Sequence, residues 1–113
     1  MPNKQYLAGR VKEWKTIALL EELDYVCFRM AGSHTCADVI AFPPLPTSPL
    51  WIQCKSSQRF DTAEWNILYE WATRYNSIPL LAICENRRPI VFYELTGVKV
   101  ARSKFRPWIE WTP

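Results

Sequence analysis

Pro79 to Cys84 reads PLLAIC, an apolar run with no charged or polar interruption. A run of that kind and length, bounded by turn-type residues, is expected of a β-strand covered on both faces. The chain must therefore supply helices on either side of a sheet.

The remaining pattern supplies them. From Asn3 to Leu23 there is no proline, and Leu7, Val11, Trp14, Ile17, Leu20 and Leu23 recur at helical spacing, which predicts a long amphipathic helix. Asp24 to Met30 (DYVCFRM) and Ala37 to Phe42 are rich in aromatic and β-branched residues and read as two strands. A mobile loop at Ala31-Gly32-Ser33-His34 joins them. Phe42 to Pro49 holds four prolines in eight residues and reads as a stiff surface loop. Leu50 to Ser56 restarts as a strand. Thr62 to Asn76 then places Trp65, Leu68, Tyr69 and Ala72 on one helical face, with Asp61 as N-cap and Glu64 at the capping-box position. Ile90 to Leu95 forms a further strand after a turn at Asn86 to Pro89. The expected class is α/β, a mixed central sheet flanked by helices in the order α-β-β-β-α-β-β, within one domain spanning 1–113. The tail from Lys99 to Pro113 is basic and then Trp-rich, and its pattern assigns it to no element.

With 113 residues, 49% of them apolar or aromatic, the chain can bury a core without metals or bridges. Charged residues make up 22% and the formal charge is +3, which fits neither an acidic disordered segment nor a strongly basic packaging protein. A phosphate-bearing partner is permitted. No apolar run approaches the roughly 18 to 20 residues that span a bilayer, and the first residues show no secretory pattern. The expectation is a cytoplasmic protein, in the host cytoplasm if a virus encodes it, with no membrane partner. Cys27, Cys36, Cys54 and Cys84 include no C-x2-C pair and are expected to be reduced, mostly buried thiols.

Polar residues placed where the pattern calls for apolar ones point to chemistry, because a half-buried acid or amide must be paired or bind something. On the first helix Arg10 and Glu13 lie in line with Tyr6, Ile17 and Leu20; taken alone they read as a helix-edge ion pair. Asp38 opens the strand DVIAF and taken alone reads as a strand-start cap. In LWIQCKS, alternation puts Trp51, Gln53 and Lys55 on one face and Ile52 and Cys54 on the other. An acid at a strand start, a second strand with an amide or acid two residues before a lysine, and an upstream helix bearing a glutamate together suit metal-assisted phosphodiester cleavage.

The ordered set Gly9-x-x-x-Glu13, Phe28-Arg29 leading into Ala31-Gly32-Ser33, Ala37-Asp38-Val39-Ile40-Ala41 and Ile52-Gln53-Cys54-Lys55 resembles the archaeal-type Holliday-junction resolvases of the PD-(D/E)xK nuclease superfamily. The resemblance runs from about Leu7 to Leu95 and implies a restriction-endonuclease-like core. By that resemblance Glu13, Asp38 and Lys55 match catalytic positions, Arg29 matches the active-site arginine, and Ser33 lies in the flexible loop. Gln53 departs from the pattern, since most members carry glutamate there. Branches resembling the Mrr restriction group also carry Q-x-K.

The resemblance implies a metal-dependent endodeoxyribonuclease, cutting a four-way junction in pairs and leaving 5′-phosphate and 3′-hydroxyl ends. Asp38, the Gln53 carbonyl oxygen and the Cys54 backbone carbonyl would hold Mg²⁺, with Mn²⁺ able to substitute, and Glu13 would hold a second ion or orient a water. Arg10 or Lys15 would contact phosphate on the helix, where Trp14 replaces the family's basic residue. Arg29, Ser33, His34, Arg87 and Arg88 are further candidate DNA contacts. Arg87, Arg88, Lys99, Arg102, Lys104 and Arg106 read either as a backbone-binding stripe or as an ordinary solvated face. A two-fold junction calls for a homodimer, through Trp65 and Trp71 or through Trp108 and Trp111. The competing expectations are an endonuclease of other preference (nicking, flap or restriction-like) and a binding module that has lost its metal site.

Overall fold

The computed structural model describes residues 4–30 and 36–113, with side chains of the first helix from Arg10 onward. Among these residues the order is α1 (Lys4–Glu22), β1 (Val26–Arg29), β2 (Val39–Phe42), β3 (Leu50–Lys55), α2 (Thr62–Arg74), β4 (Ile78–Ile83), β5 (Val91–Leu95) and β6 (Trp108–Trp111). The α/β class and the order expected from sequence are both found, with β6 added in the tail.

The strands form one sheet in the order β1-β2-β3-β4-β5-β6. Neighbours are antiparallel except β3 and β4, which pair in parallel (Leu50↔Ile78 to Lys55↔Ile83) because α2 carries the chain back between them. β4 is central and almost wholly buried, as its apolar run requires. Ile17 and Leu20 of α1 close one side of the sheet over Val39, Ala41, Leu50, Ile52, Cys54, Leu80 and Ala82. On the other side, Trp65 and Leu68 of α2 pack with Ala37, Phe60, Leu81, Ile83 and Leu95.

The α1 stripe is corrected by the structure. Val11 and Trp14 are 49% and 51% exposed, and the helix turns Glu13, Thr16, Ile17 and Leu20 toward the sheet instead. A buried threonine is tolerated there because its hydroxyl donates to the Lys12 carbonyl at 2.9 Å and lies 3.5 and 3.6 Å from the Cys54 and Cys84 sulfurs. All four cysteines are free. Burial, aided by Glu21, pushes the Cys27 thiol up to about 11, and burial also raises Cys36, Cys54 and Cys84.

Both helices end on residues in the left-handed region, Asp24 (φ 67) after α1 and Asn76 (φ 54) after α2, two residue types that tolerate it. At the start of α2 the Asp61 carboxylate accepts from the Ala63 and Glu64 backbone N–H groups, so the predicted N-cap forms. The Trp65 indole N–H donates to the Gly97 carbonyl at 2.9 Å, and Asn66 exchanges two hydrogen bonds with the Lys99 backbone. These bonds fold the β5–β6 connection onto α2. No described helix is long and apolar enough to cross a membrane.

Candidate active site

The site is built where the β2–β3 ladder runs out. Val39 pairs with Ile52, and one step further the Asp38 N–H donates to the Ile52 carbonyl at 2.8 Å while Met30 donates to the Asp38 carbonyl at 2.9 Å. The next inward donor on β3, the Cys54 N–H, is taken by Asp38 Oδ2 at 2.9 Å. Alternate residues of a strand turn their N–H and C=O to the same edge, so the Cys54 carbonyl emerges beside Asp38. Burial pushes the Asp38 carboxyl above the ordinary aspartate range; Glu13 and Glu64 push it further, against the Cys54 N–H and Lys55.

β3 alternates as expected. Leu50, Ile52 and Cys54 are buried toward α1, while Trp51, Gln53 and Lys55 are half-buried on the α2 side. Continuing the Val39↔Ile52 register sets Asp38 opposite Gln53. The Lys55 ammonium lies 3.0 Å from Glu64 Oε2 and 5.6 Å from the centre of the Phe60 ring.

Glu13 reaches the same end of the sheet from α1. It pairs with Arg29 of β1, with Nε donating to Oε2 at 2.6 Å and both side chains about 15% exposed, a contact across elements that the helix spacing alone does not give. The Arg29 guanidinium also sits 5.9 Å from the Trp14 ring centre. Arg10 is half-buried and Lys15 exposed on α1. Ser33 and His34 lie outside the described residues.

The six basic residues of the second half fall on two connections. Arg87 and Arg88 occupy the turn after β4, where Arg88 pairs with Glu85 at 3.4 Å and lines a pocket of about 280 Å³ with Gln58, Ile83 and Tyr93. Ile83 is the strand partner of Lys55, so this turn flanks the site. Lys99 instead braces the β5–β6 connection, with Nζ 3.4 Å from Thr62 Oγ1 and 3.3 Å from the Ser103 carbonyl, and Arg106 stacks on Trp108.

Mg²⁺ takes oxygen ligands and keeps several waters. Among the described residues no three of His, Cys, Asp and Glu converge into a chelating group. What the strand ends present is one fixed carboxylate, Asp38, with two neutral oxygens brought to it by the β2–β3 register, the Gln53 amide and the Cys54 carbonyl. That donor set, all oxygen with a single carboxylate, suits a hard cation held weakly. It does not suit zinc, which wants sulfur or imidazole.

Glu64 escapes the sequence reading, which gives it to the capping box; its carboxylate goes to Lys55. The signal available was the short β3–α2 connection, which returns the first turn of α2 over the C-terminal end of β3.

No protein-family model and no curated protein matches the chain. Among solved structures it is similar to Hjc, a Holliday junction resolvase from the archaeal hyperthermophile Archaeoglobus fulgidus, with a TM-score of 0.69 over 90% of this chain and 88% of that one. Sequence identity is 18%, so the likeness establishes a shared fold.

Proposed function

We propose that this chain is a metal-dependent, structure-selective DNA endonuclease that resolves four-way junctions by paired phosphodiester hydrolysis. One observation carries the reading. The Cys54 N–H···Asp38 bond fixes a carboxylate at the open end of the β2–β3 ladder, beside Gln53 and Lys55, in a chain with the Hjc fold.

Asp38, the Gln53 amide oxygen and the Cys54 carbonyl would hold Mg²⁺ or Mn²⁺, which when bound supplies Lewis-acid activation of water and charge neutralisation at the phosphate. Lys55, one ammonium N–H held by Glu64, turns another to the attacking water or a phosphate oxygen, and Arg29 brings a second positive charge from beside Glu13. The water oxygen bonds to phosphorus and gives up a proton to solvent, the P–O3′ bond breaks, and O3′ takes a proton from solvent as it leaves, giving a 5′-phosphate and a 3′-hydroxyl. Arg87 and Arg88 on the flanking turn, with Arg10 and Lys15 on α1, meet the duplex arms.

The test is cleavage of a labelled four-way junction against linear, nicked, flap and single-stranded DNA in Mg²⁺, Mn²⁺ and EDTA. Paired, metal-dependent cuts in the junction alone are expected. Cuts spread over the other substrates would keep the chemistry and discard junction choice, and tight binding without cleavage in either metal would mean a binding module. Gln53→Glu adds a second carboxylate to the donor set, so it should cleave at least as fast as the natural chain and saturate at lower Mg²⁺. A higher Mg²⁺ requirement would remove Gln53 from the ligand set.

Paired incision at a two-fold junction needs two sites in one particle, and an apolar face is available for a second copy. α2 packs on β3 and β4. On that same side Val26, Phe28 and Phe42 of β1 and β2 stay exposed, with Phe28 and Phe42 ring to ring at 5.9 Å. Tyr75 stacks on both Trp51 and Trp71 and extends the apolar face along α2. Of the tryptophans considered for an interface, Trp65 is buried, and Trp108 and Trp111 pack on Tyr93 and Phe92, so Trp71 is the one suited to it. Light scattering should give a dimer for the natural chain and a monomer for Phe28→Arg. A monomeric natural chain, or a dimeric Phe28→Arg, would reject this surface.

A further inference from the structure

We infer that Glu64 is a positioning residue of the site, holding the Lys55 ammonium and supplying from α2 the carboxylate charge that β3 lacks at Gln53. The inference rests on the metal-dependent reading above.

Gln53 and Lys55 share the α2 face of β3, two residues apart, so a carboxylate at 53 would orient the ammonium from its own strand. A glutamine amide has no charge with which to do so. Glu64 instead approaches from the facing helix, its Oε2 3.0 Å from Lys55 Nζ. Its place is set by the Asp61 cap, which takes the Glu64 N–H and fixes the first turn of α2. Phe60 lies 5.6 Å from the same ammonium, measured to the ring centre, so Lys55 is held between a ring and a carboxylate.

The charge balance gives Glu64 a second effect. Glu13, Asp38 and Glu64 bring carboxylates to the end of the sheet where Arg29 and Lys55 lie. Neutralising Glu64 removes one of those negative charges and leaves Lys55 without that counter-ion, opposing a divalent cation. A side chain that tunes a metal site from outside the ligand set commonly changes affinity by about 10- to 100-fold.

The experiment is Mn²⁺ binding to the full chain without DNA, followed by electron paramagnetic resonance, for the natural chain, Glu64→Gln, Gln53→Glu and the double variant. Glu64→Gln should bind Mn²⁺ about tenfold more weakly, and Gln53→Glu in the same chain should restore most of the loss. A purely structural role for Glu64 would shift its melting temperature without that rescue. Unchanged Mn²⁺ affinity in Glu64→Gln, or no recovery in the double variant, overturns the inference and leaves the metal site standing. Binding only in chains carrying Gln53→Glu also overturns it, because position 53 would then have no substitute. Absence of binding in all four defeats the metal reading itself.

Discussion

Asp38→Asn should abolish cleavage while raising the melting temperature of the metal-free protein. The carboxamide can still accept the Cys54 N–H that holds the natural side chain at 2.9 Å, so the local backbone has no reason to move. What disappears is a negative charge that burial, Glu13 and Glu64 all disfavour. A carboxyl whose folded value is raised costs stability at every pH above that value, and the cost fades as pH falls through it toward the unfolded value. The Asn variant should therefore melt above the natural chain at about pH 7.5 in EDTA, and the gap should close toward about pH 4. Cleavage should fall by roughly 100- to 1,000-fold or more, the scale on which loss of one charge-stabilising group slows a reaction. Retained cleavage would remove Asp38 from the site. A lower melting temperature at neutral pH would reject the electrostatic account while leaving the role open to the cleavage assay.

That pairing of lost activity with gained stability would mark a residue kept against the interests of the fold. The same conflict explains what could be read from the sequence. Asp38, Gln53 and Lys55 stand out in the sequence because strand patterning is a local property: an acid opens the apolar strand DVIAF, and Gln53 and Lys55 share one face of LWIQCKS. PLLAIC announced a doubly covered strand for the same reason. Glu13 could be placed on the inward line of α1, yet its partner could not, because Arg29 arrives from another element and only the packing of α1 on β1 brings the two to 2.6 Å. The apolar residues of α1 misled for a related cause. Val11 and Trp14 keep helical spacing with Ile17, but the sheet accepts Thr16 in their stead, its hydroxyl satisfied within its own helix. β6 had no readable pattern because a four-residue edge strand takes its register from β5, Phe92↔Trp111 to Leu95↔Trp108, and not from its own periodicity.

Trp65→Ala should be among the most destabilising single changes in the chain. The indole is 1% exposed, packs against Phe60 at 5.9 Å and Trp108 at 5.4 Å, and donates to the Gly97 carbonyl at 2.9 Å. Truncating a buried aromatic costs about 3–5 kcal/mol, and leaving the Gly97 carbonyl without its donor adds about 1–3 kcal/mol if water does not reach it. Against a typical domain stability of about 5–15 kcal/mol, the variant should sit near the edge of unfolding. The loss should also spread in a set direction. Trp65 joins α2 to the β5–β6 connection, and Phe60, its ring neighbour, supports Lys55. Trp65→Phe keeps much of the packing and loses the hydrogen bond and part of the ring volume, so it should fold with a smaller deficit. Urea unfolding followed by far-UV circular dichroism checks the series, with the midpoint expected to fall in the order natural chain, Trp65→Phe, Trp65→Ala. A loss under about 1 kcal/mol in Trp65→Ala would mean that the α2 side of the core closes over the cavity, and that Lys55 does not depend on this packing for its place.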